Sequence, residues 1–534
     1  MPIKAFVKTN IYKDSVALMR TAQLVVAQTG VRRATLLMGT SGNKNLLSQA
    51  GLLVSATQNA QPNDIMVVIE ADSEDAAEAA ISQVHALIEG EEPRKAGGAT
   101  TDAPPRSIAA GIALSPDANL AQISVPGPYA GAEALKALHQ GLNVFLFSDN
   151  VPLEQERVIK DLARRKELLV MGPDCGTAII RGVPLGFANV VRRGPIGLVG
   201  ASGTGLQEVT CRIHQLGGGV SHAIGTGSRD ISEAIGGSTM SQALQLLAAD
   251  PDTKIIAIVS KPPAASVQKR ITREVESIGK PVVICFLGAA AGDTAGTSSI
   301  HSAATLYDTA TKAVALQSGN PATTGTAVPP MKAITDERFP APDQRFVRGL
   351  FSGGTFCYEA QIIWRQHGIR SFSNAPLEAG DRLSEGSASR EHCAIDLGSD
   401  EFTVGRPHPM IDPSLRIERL LQEAHDPSVA VILLDVVLGY GSHENPAGVL
   451  APAIAQAKSV AARQGRYLPI ICFVCGTDED PQVLSSQEAA LRREGVLLAP
   501  SSTAAAELAV RIVHQAAMAA PRAAQSPANS KSSG

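Results

Sequence analysis

The sequence predicts a multidomain α/β protein, and three observations carry that prediction. Apolar strand-like runs alternate with amphipathic helical segments along most of the chain, the pattern of parallel sheets joined by crossover helices. Hydrophobic residues make up 44% but aromatics only 4%, beside 48 glycines and 33 prolines, so the core is aliphatic and the turns are many. A glycine-rich strand-to-helix junction occurs twice, as GPIGLVGASGTGLQE (194–208) and as GLFSGGTFCYE (349–359), which points to a duplicated module. At 534 residues the chain is too long for one core and fits three or four domains of about 100–200 residues each.

Taken in order, residues 1–88 read as a small α/β domain: strand IKAFVKT, a helix opened by Asp14 and Ser15, strand RATLLMG, a second helix, strand DIMVVIEA and a third helix. Its loop 39–44 (GTSGNK) offers N–H groups and a lysine to an anion, and reads equally well as an ordinary turn. Residues 89–106 are rich in charge, Gly and Pro and form a linker. Residues 107–190 give a βαβ series, with strands NLAQISVPG, NVFLFS and ELLVMGP and two helices between them. Loops 125–129 and 171–176, the latter with Asp174, follow strands at the ends where such sheets bind ligands; they equally suit mere turn-shaping. Residues 191–316 begin with the first junction, continue through GVSHAIGTG, KIIAIVS and PVVICFLG, and carry Arg229 in a glycine turn. A second linker spans 317–346, residues 347–517 replay the preceding domain, and the low-complexity tail 518–534 is expected to be disordered.

The net charge of -4 has no basic run behind it, which argues against nucleic acid and anionic membranes as partners. No signal-like start is evident, and the apolar stretch VAVILLDVVLGY is short of a membrane span and contains Asp435, so a cytoplasmic location is expected. The seven cysteines lie mostly in strand-like or helical runs and read as reduced, buried thiols. Cys472 and Cys475 form a C-x-x-C inside a buried-strand pattern with no second pair or histidine nearby, so no metal site is expected.

The chemistry concentrates on the repeat. A strand feeding a glycine turn and a helix start presents free N–H groups and the positive helix end to an anion. Ser202, Gly203 and Thr204 form one such start, and Gly353, Gly354 and Thr355 the other. Glu208 and Glu359, each four residues after the threonine, lie one turn further on the same face and are candidate catalytic carboxylates. A well-capped helix without a ligand would use the same residue types; the duplication is what favours a shared anion site. Arg406 and His408 sit on a stiff loop between prolines and are candidates for general acid/base work, with His443 and Asp478 on neighbouring strand-end loops. Asp174 and Arg229 complete the candidate set for substrate and phosphate.

VPGPY (125–129), MGPDCGTAI (171–179) and GLVGASGTGLQE (197–208) resemble the α subunit of succinyl-CoA synthetase. That resemblance implies a Rossmann-like domain of the CoA-binding type over 107–190. It also implies two flavodoxin-like ligase domains, each lending one of two helices that together hold a phosphate. DSVALM, MGTSGNK, ISVPGPY, DEFTVGRPHPMID, GYGSHENPA and CGTDEDPQ are similar to the FdrA family over nearly the whole chain. The FdrA resemblance implies a subunit of a carbamoyltransferase of ureide (allantoin, oxalurate) catabolism, turning oxalurate and phosphate into oxamate and carbamoyl phosphate alongside other subunits of a hetero-oligomer. Phosphate is then a substrate held by the two helix starts, with Arg406 and His408 near the carbamoyl group or its leaving nitrogen.

Synthetases place a phosphorylated histidine in a glycine-rich loop after the strand equivalent to PVVICFLG, where this chain reads GAAAGDTAGTSS (288–299). His301 follows, in what reads as a closing strand, and the chain has no room for an ATP-grasp domain. Two alternatives stand beside the transferase: an acyl-CoA synthetase of the succinyl-CoA ligase type that binds coenzyme A and works with a nucleotide-binding partner, and a non-catalytic metabolite-binding scaffold.

Overall fold

The computed structural model describes residues 2–89, 105–289, 299–320, 340–384, 387–403 and 407–519, apart from Tyr12, Asp14, Ala27, Ser41, Gly42, Asn45, Leu46, Gln49, Ala50 and Pro342. Most of both expected linkers and of the expected disordered tail lies outside these residues, as does part of the 39–44 loop. The chain forms two compact units, residues 1–106 with 400–408, and residues 107–399 with 409–534.

The first unit is a three-stranded antiparallel sheet in the order Ile3–Lys8, Ile65–Ala71, Val31–Met38. Alternation of side chains along the central strand builds a core on each face. Ile65, Val67 and Ile69 pack with Leu18 and Val25 of helix Ser15–Val26 and with Ala80 and Val84 of helix Glu74–Glu89. Met66 and Val68 face Leu47, Leu52 and Ala60.

The second unit holds three sheets. Strands Leu120–Ile123, Asn143–Leu146 and Val170–Met171 form a short parallel sheet. A seven-stranded sheet runs Ile300–Ser302, Val282–Phe286, Ile255–Ser260, Arg193–Gly200, Val220–Gly225, Thr177–Ile180, Val183–Gly186. Its last two strands are antiparallel additions, so this sheet takes in a hairpin from before the expected domain boundary at 190/191. A six-stranded parallel sheet runs Phe372–Ser373, Cys393–Asp396, Phe346–Phe351, Val429–Val437, Ile470–Cys475, Leu497–Ala499.

Numbered from their own first strands, both large sheets share the order 2-1-3-4-5, the flavodoxin-like arrangement, with Phe372–Ser373 added at one edge of the second. The duplication in the sequence is therefore a duplication of topology. In each sheet the first strand delivers the chain into a glycine-led helix, Gly203–Gln215 (the Gly203 helix) or Gly354–Gln366 (the Gly354 helix).

One core runs through both halves. Leu206, Val209 and Ile213 of the Gly203 helix cluster with Phe356, Ala360 and Trp364 of the Gly354 helix and with Ala505, Leu508 and Ile512 of helix Ser502–Ala519. Trp364 is fully buried, and its indole N–H donates to the Ala506 carbonyl at 3.3 Å, so its whole surface is matched. Trp364→Ala is expected to cost about 3–5 kcal/mol of unfolding free energy in denaturant titration of the full chain. A loss under about 1 kcal/mol would show that this packing does not set stability.

Candidate functional site

The two helix starts meet. Ser202 adopts an extended backbone and caps the Gly203 helix, its hydroxyl accepting from the Gly205 N–H at 3.1 Å. The same hydroxyl lies 2.6 Å from the Thr355 hydroxyl on the Gly354 helix. A Cβ placed on Gly353 would stand 2.6 Å from the Thr204 methyl and 2.8 Å from its hydroxyl, so glycine is what lets the second junction close against the first. Gly353 caps its helix with no side chain. Ser202, Thr204 and Thr355 are 8%, 9% and 5% exposed, while Gly203 and Gly354 at the helix tips are only half-buried. Among the described residues the Thr204 hydroxyl has no hydrogen-bond partner; the residue is 9% exposed, and its methyl and hydroxyl both lie against Gly353 of the second start.

Two buried aspartates shape the second junction. Asp435, inside strand Val429–Val437 and fully buried, accepts from the Ser352 N–H at 2.8 Å and from the Ser352 hydroxyl. A Cβ on Gly354 would lie 2.7 Å from a carboxylate oxygen of Asp396, so this start already has a negative neighbour.

Glu208 and Glu359 are turned inward. Glu208 pairs with Arg212 at 3.0 Å and accepts from the Ser502 N–H at 3.0 Å. Glu359 accepts from the Leu306 N–H at 2.8 Å and from the hydroxyls of Ser502 at 2.5 Å and Thr503 at 3.1 Å. With 0% and 1% exposure they face other helix starts within the chain.

The remaining candidates fall elsewhere. Arg229 is held by Glu156 at 2.9 Å and by the Val151 carbonyl at 2.6 Å, beside the buried Lys160–Asp230 pair at 2.7 Å. Asp174 is exposed and accepts from the Ser228 hydroxyl at 2.6 Å. His443 accepts from the Asn445 N–H through Nδ1 at 3.0 Å, and Asp478 accepts from the Ser485 N–H at 2.7 Å, which holds its carboxyl below the usual range. Arg406 lies outside the described residues, and His408 belongs to the first compact unit while both helix starts belong to the second. His301 sits in strand Ile300–Ser302 as its sequence suggests; residues 290–298 before it lie outside the described residues. All seven cysteines are free and buried, and burial pushes the thiols of Cys211, on the Gly203 helix, and Cys475 up.

Sequence reasoning missed Asp396, Arg212 and the Ser501–Thr503 turn; beyond its pair with Glu208, Arg212 reaches the Val474 carbonyl, and Ser502 reaches Glu208 and Glu359, all far off in sequence. Burial, with the nearby Glu208 charge, raises Glu359 from 4.5 to about 7. A carboxyl whose folded value is raised keeps its proton where the unfolded chain has lost it, so its contribution to stability declines as pH rises from about 4.5 towards 7. Melting temperatures measured from pH 5 to 8 are expected to fall less in Glu359→Gln than in the parent chain; equal slopes would overturn this assignment.

Comparison with known proteins places these features. Residues 350–512 match the CoA-ligase family model, residues 191–288 the CoA binding domain model, and residues 1–105 the model described as AllF, heavy metal-associated domain. The CoA binding domain match thus falls on the first flavodoxin-like sheet, after the 107–190 segment expected to carry that fold. The chain is 44% identical over 507 residues to the protein YahF of Escherichia coli (strain K12), covering 94% of this chain and 97% of YahF. It is 26% identical to the alpha subunit of ADP-forming succinate–CoA ligase of Aquifex aeolicus (strain VF5), over 32% of this chain and 57% of that subunit. It is 27% identical to subunit SauD of an ADP-forming sulfoacetate-CoA ligase of Bilophila wadsworthia (strain 3_1_6), over 34% of this chain and 63% of SauD. The match thus spans less than two thirds of either ligase subunit.

The metal that the first-domain match implies can be tested on the residues. Residues 1–105 contain no cysteine and one histidine, His85, whose ring stacks on Phe6 at 4.3 Å, so the domain does not fit a thiolate or multi-histidine metal site. Among the described residues no three His, Cys, Asp or Glu side chains gather as metal ligands. At the Gly127 helix start a Cβ would meet the Asp149 carbonyl at 2.3 Å, so glycine there lets the backbone of 149–150 approach closely. No helix among the described residues is long and apolar enough to cross a membrane. Near full-length identity to YahF, the AllF-type first domain and the paired ligase-type sheets together show that the chain belongs to the FdrA family, related to the alpha subunit of succinyl-CoA synthetase.

Proposed function

We propose that the chain is the phosphate-binding subunit of a carbamoyltransferase that interconverts oxalurate plus phosphate with oxamate plus carbamoyl phosphate. The observation that supports this reading most is the meeting of two helix starts, with Ser202 bonded to Thr355 and with Thr204, whose hydroxyl has no partner among the described residues, packed against Gly353. The Ser202–Thr355 hydrogen bond occupies the direct line between the starts. An oxyanion therefore sits beside that bond, at the half-buried tips Gly203 and Gly354, where N–H groups and both helix dipoles favour negative charge.

In the proposed reaction a phosphate oxygen attacks the carbamoyl carbon, the new C–O bond forms and the C–N bond to oxamate breaks. The phosphate's proton passes to the departing nitrogen, so atoms and charges balance. The helix starts hold the nucleophile in place and stabilise charge on its oxygens. Residues 288–299 contain no histidine, which suits phosphate acting as a free substrate better than as a phosphohistidine.

The chain together with its partner subunits, given carbamoyl phosphate and oxamate, is expected to release phosphate. Thr204→Val is expected to raise the concentration of phosphate needed in the opposite direction by about tenfold or more, the scale of one hydrogen bond to a charged group. No phosphate release by the parent complex would overturn the assignment.

The matches at 191–288 and 350–512 favour a second reading, acyl-CoA formation with a nucleotide-binding partner, in which coenzyme A is the acceptor. That reading expects label from the γ-phosphate of ATP on a histidine of this chain, lost in His301→Ala. A chain that stays unlabelled beside its partner excludes it.

A further inference from the structure

We propose that Lys261 is a further substrate-binding residue, the cation that neutralises the oxyanion at the helix starts, a reading that rests on the phosphate assignment above. In the first flavodoxin-like sheet the first and third strands lie side by side with Gly200 opposite Val259. Two residues beyond that pair, one chain reaches Ser202 at the helix start and the other reaches Lys261. In a sheet of order 2-1-3-4-5 this gap between the ends of strands one and three is where the connections diverge to opposite faces, and where ligands bind. Lys261 therefore stands at the switch point of the first half.

It also reaches the second half. The Lys261 ammonium lies 5.1 Å from the ring centre of Tyr358 on the Gly354 helix. Tyr358 is four residues after Gly354, so the two lie on one face of the helix, one turn apart. The lysine is half-buried, and among the described residues it forms no ion pair with a carboxylate. Among the described residues the partner shown for this half-buried ammonium is a ring face, a weak attraction of about 0.5–2 kcal/mol.

The site has a use for it. Each helix end supplies roughly half a positive charge, and Asp396 beside Gly354 offsets one of them. A phosphate carrying more than one negative charge is then poorly matched without a further cation. Lys261 reaches from the switch point to Tyr358, one turn into the Gly354 helix, and supplies that charge as a point donor.

Equilibrium dialysis of labelled inorganic phosphate against the full chain tests this in four forms: parent, Lys261→Met, Lys261→Arg and Thr204→Val. The expected result is measurable binding by the parent, weakened about tenfold or more in Lys261→Met and in Thr204→Val, and largely retained in Lys261→Arg. Binding lost in Thr204→Val but unchanged in Lys261→Met overturns the lysine and leaves the phosphate site standing. Arginine binding as poorly as methionine shows that charge is not what acts, and also overturns it. A parent chain that does not bind phosphate, beside a complex that turns over, overturns both.

Discussion

The structure of the second unit turns on the buried Glu208–Arg212 pair and on what its remaining hydrogen-bonding positions reach. A buried ion pair is by itself weak evidence of stability, because desolvating two charges offsets their attraction. Here the geometry extends beyond the pair. Arg212 also donates to the Val474 carbonyl at 2.7 Å and to the Pro500 carbonyl, while Glu208 accepts from the Ser502 N–H. Gln215, one turn along, donates to the Gly476 carbonyl at 2.8 Å. One face of the Gly203 helix is thereby fixed to the ends of two strands in the other half, and the direction in which that helix presents its N-terminus is fixed with it. Replacing Arg212 would leave Glu208 charged, buried and unpaired, which is why the two act as a unit.

The pairing also sets Glu208 apart from its counterpart. Glu359 occupies the equivalent place on the Gly354 helix and reaches the same Ser502–Thr503 turn, but no arginine accompanies it. Burial then favours its neutral form, and two carboxylates within reach of one turn avoid holding two unpaired charges. The third element of this contact, the start of helix Ser502–Ala519, donates its Ser502 backbone N–H to the Glu208 carboxylate of one half and its Ser502 hydroxyl to the Glu359 carboxylate of the other. A helix start tied to both halves keeps them in one relation, and Trp364 completes the lock through its bond to Ala506 in the same helix.

Much of this was legible in the sequence because it rests on local pattern. The SGT and GGT junctions and the glutamates four residues later announced a repeated helix start, and alternating apolar runs announced the parallel strands. What was not legible depends on partners hundreds of positions away. Nothing around Glu208 or Glu359 marks them as facing inward, since glutamate on a helix is ordinary and their partners lie near 306 and 502. Lys160 and Glu156 lie in the charged helical run LEQERVIKDLARR, yet both are buried against Asp230 and Arg229. The hairpin Thr177–Ile180 and Val183–Gly186 did leave a local trace, in that Arg181 and Gly182 both take positive φ, as a two-residue hairpin turn requires. A pair ending in glycine between two short apolar runs is a signal that could have moved the domain boundary forward.

The two halves have the same topology but not the same chemistry at their helix starts, and the difference follows from the closeness of their meeting. A side chain at 353 would strike Thr204, so the second helix has glycine where the first has the capping Ser202. Ser202 then serves both halves, capping its own helix and meeting Thr355. That contact occupies the threonine of the second half and leaves the threonine of the first, Thr204, without a partner of its own. Both starts present backbone N–H groups at their tips, Gly203 and Gly354, and the first adds the Thr204 hydroxyl. An oxyanion that draws on both sets of N–H groups and on that hydroxyl is reached only where the two halves meet, which gives a physical reason for a duplicated domain to be retained in one chain.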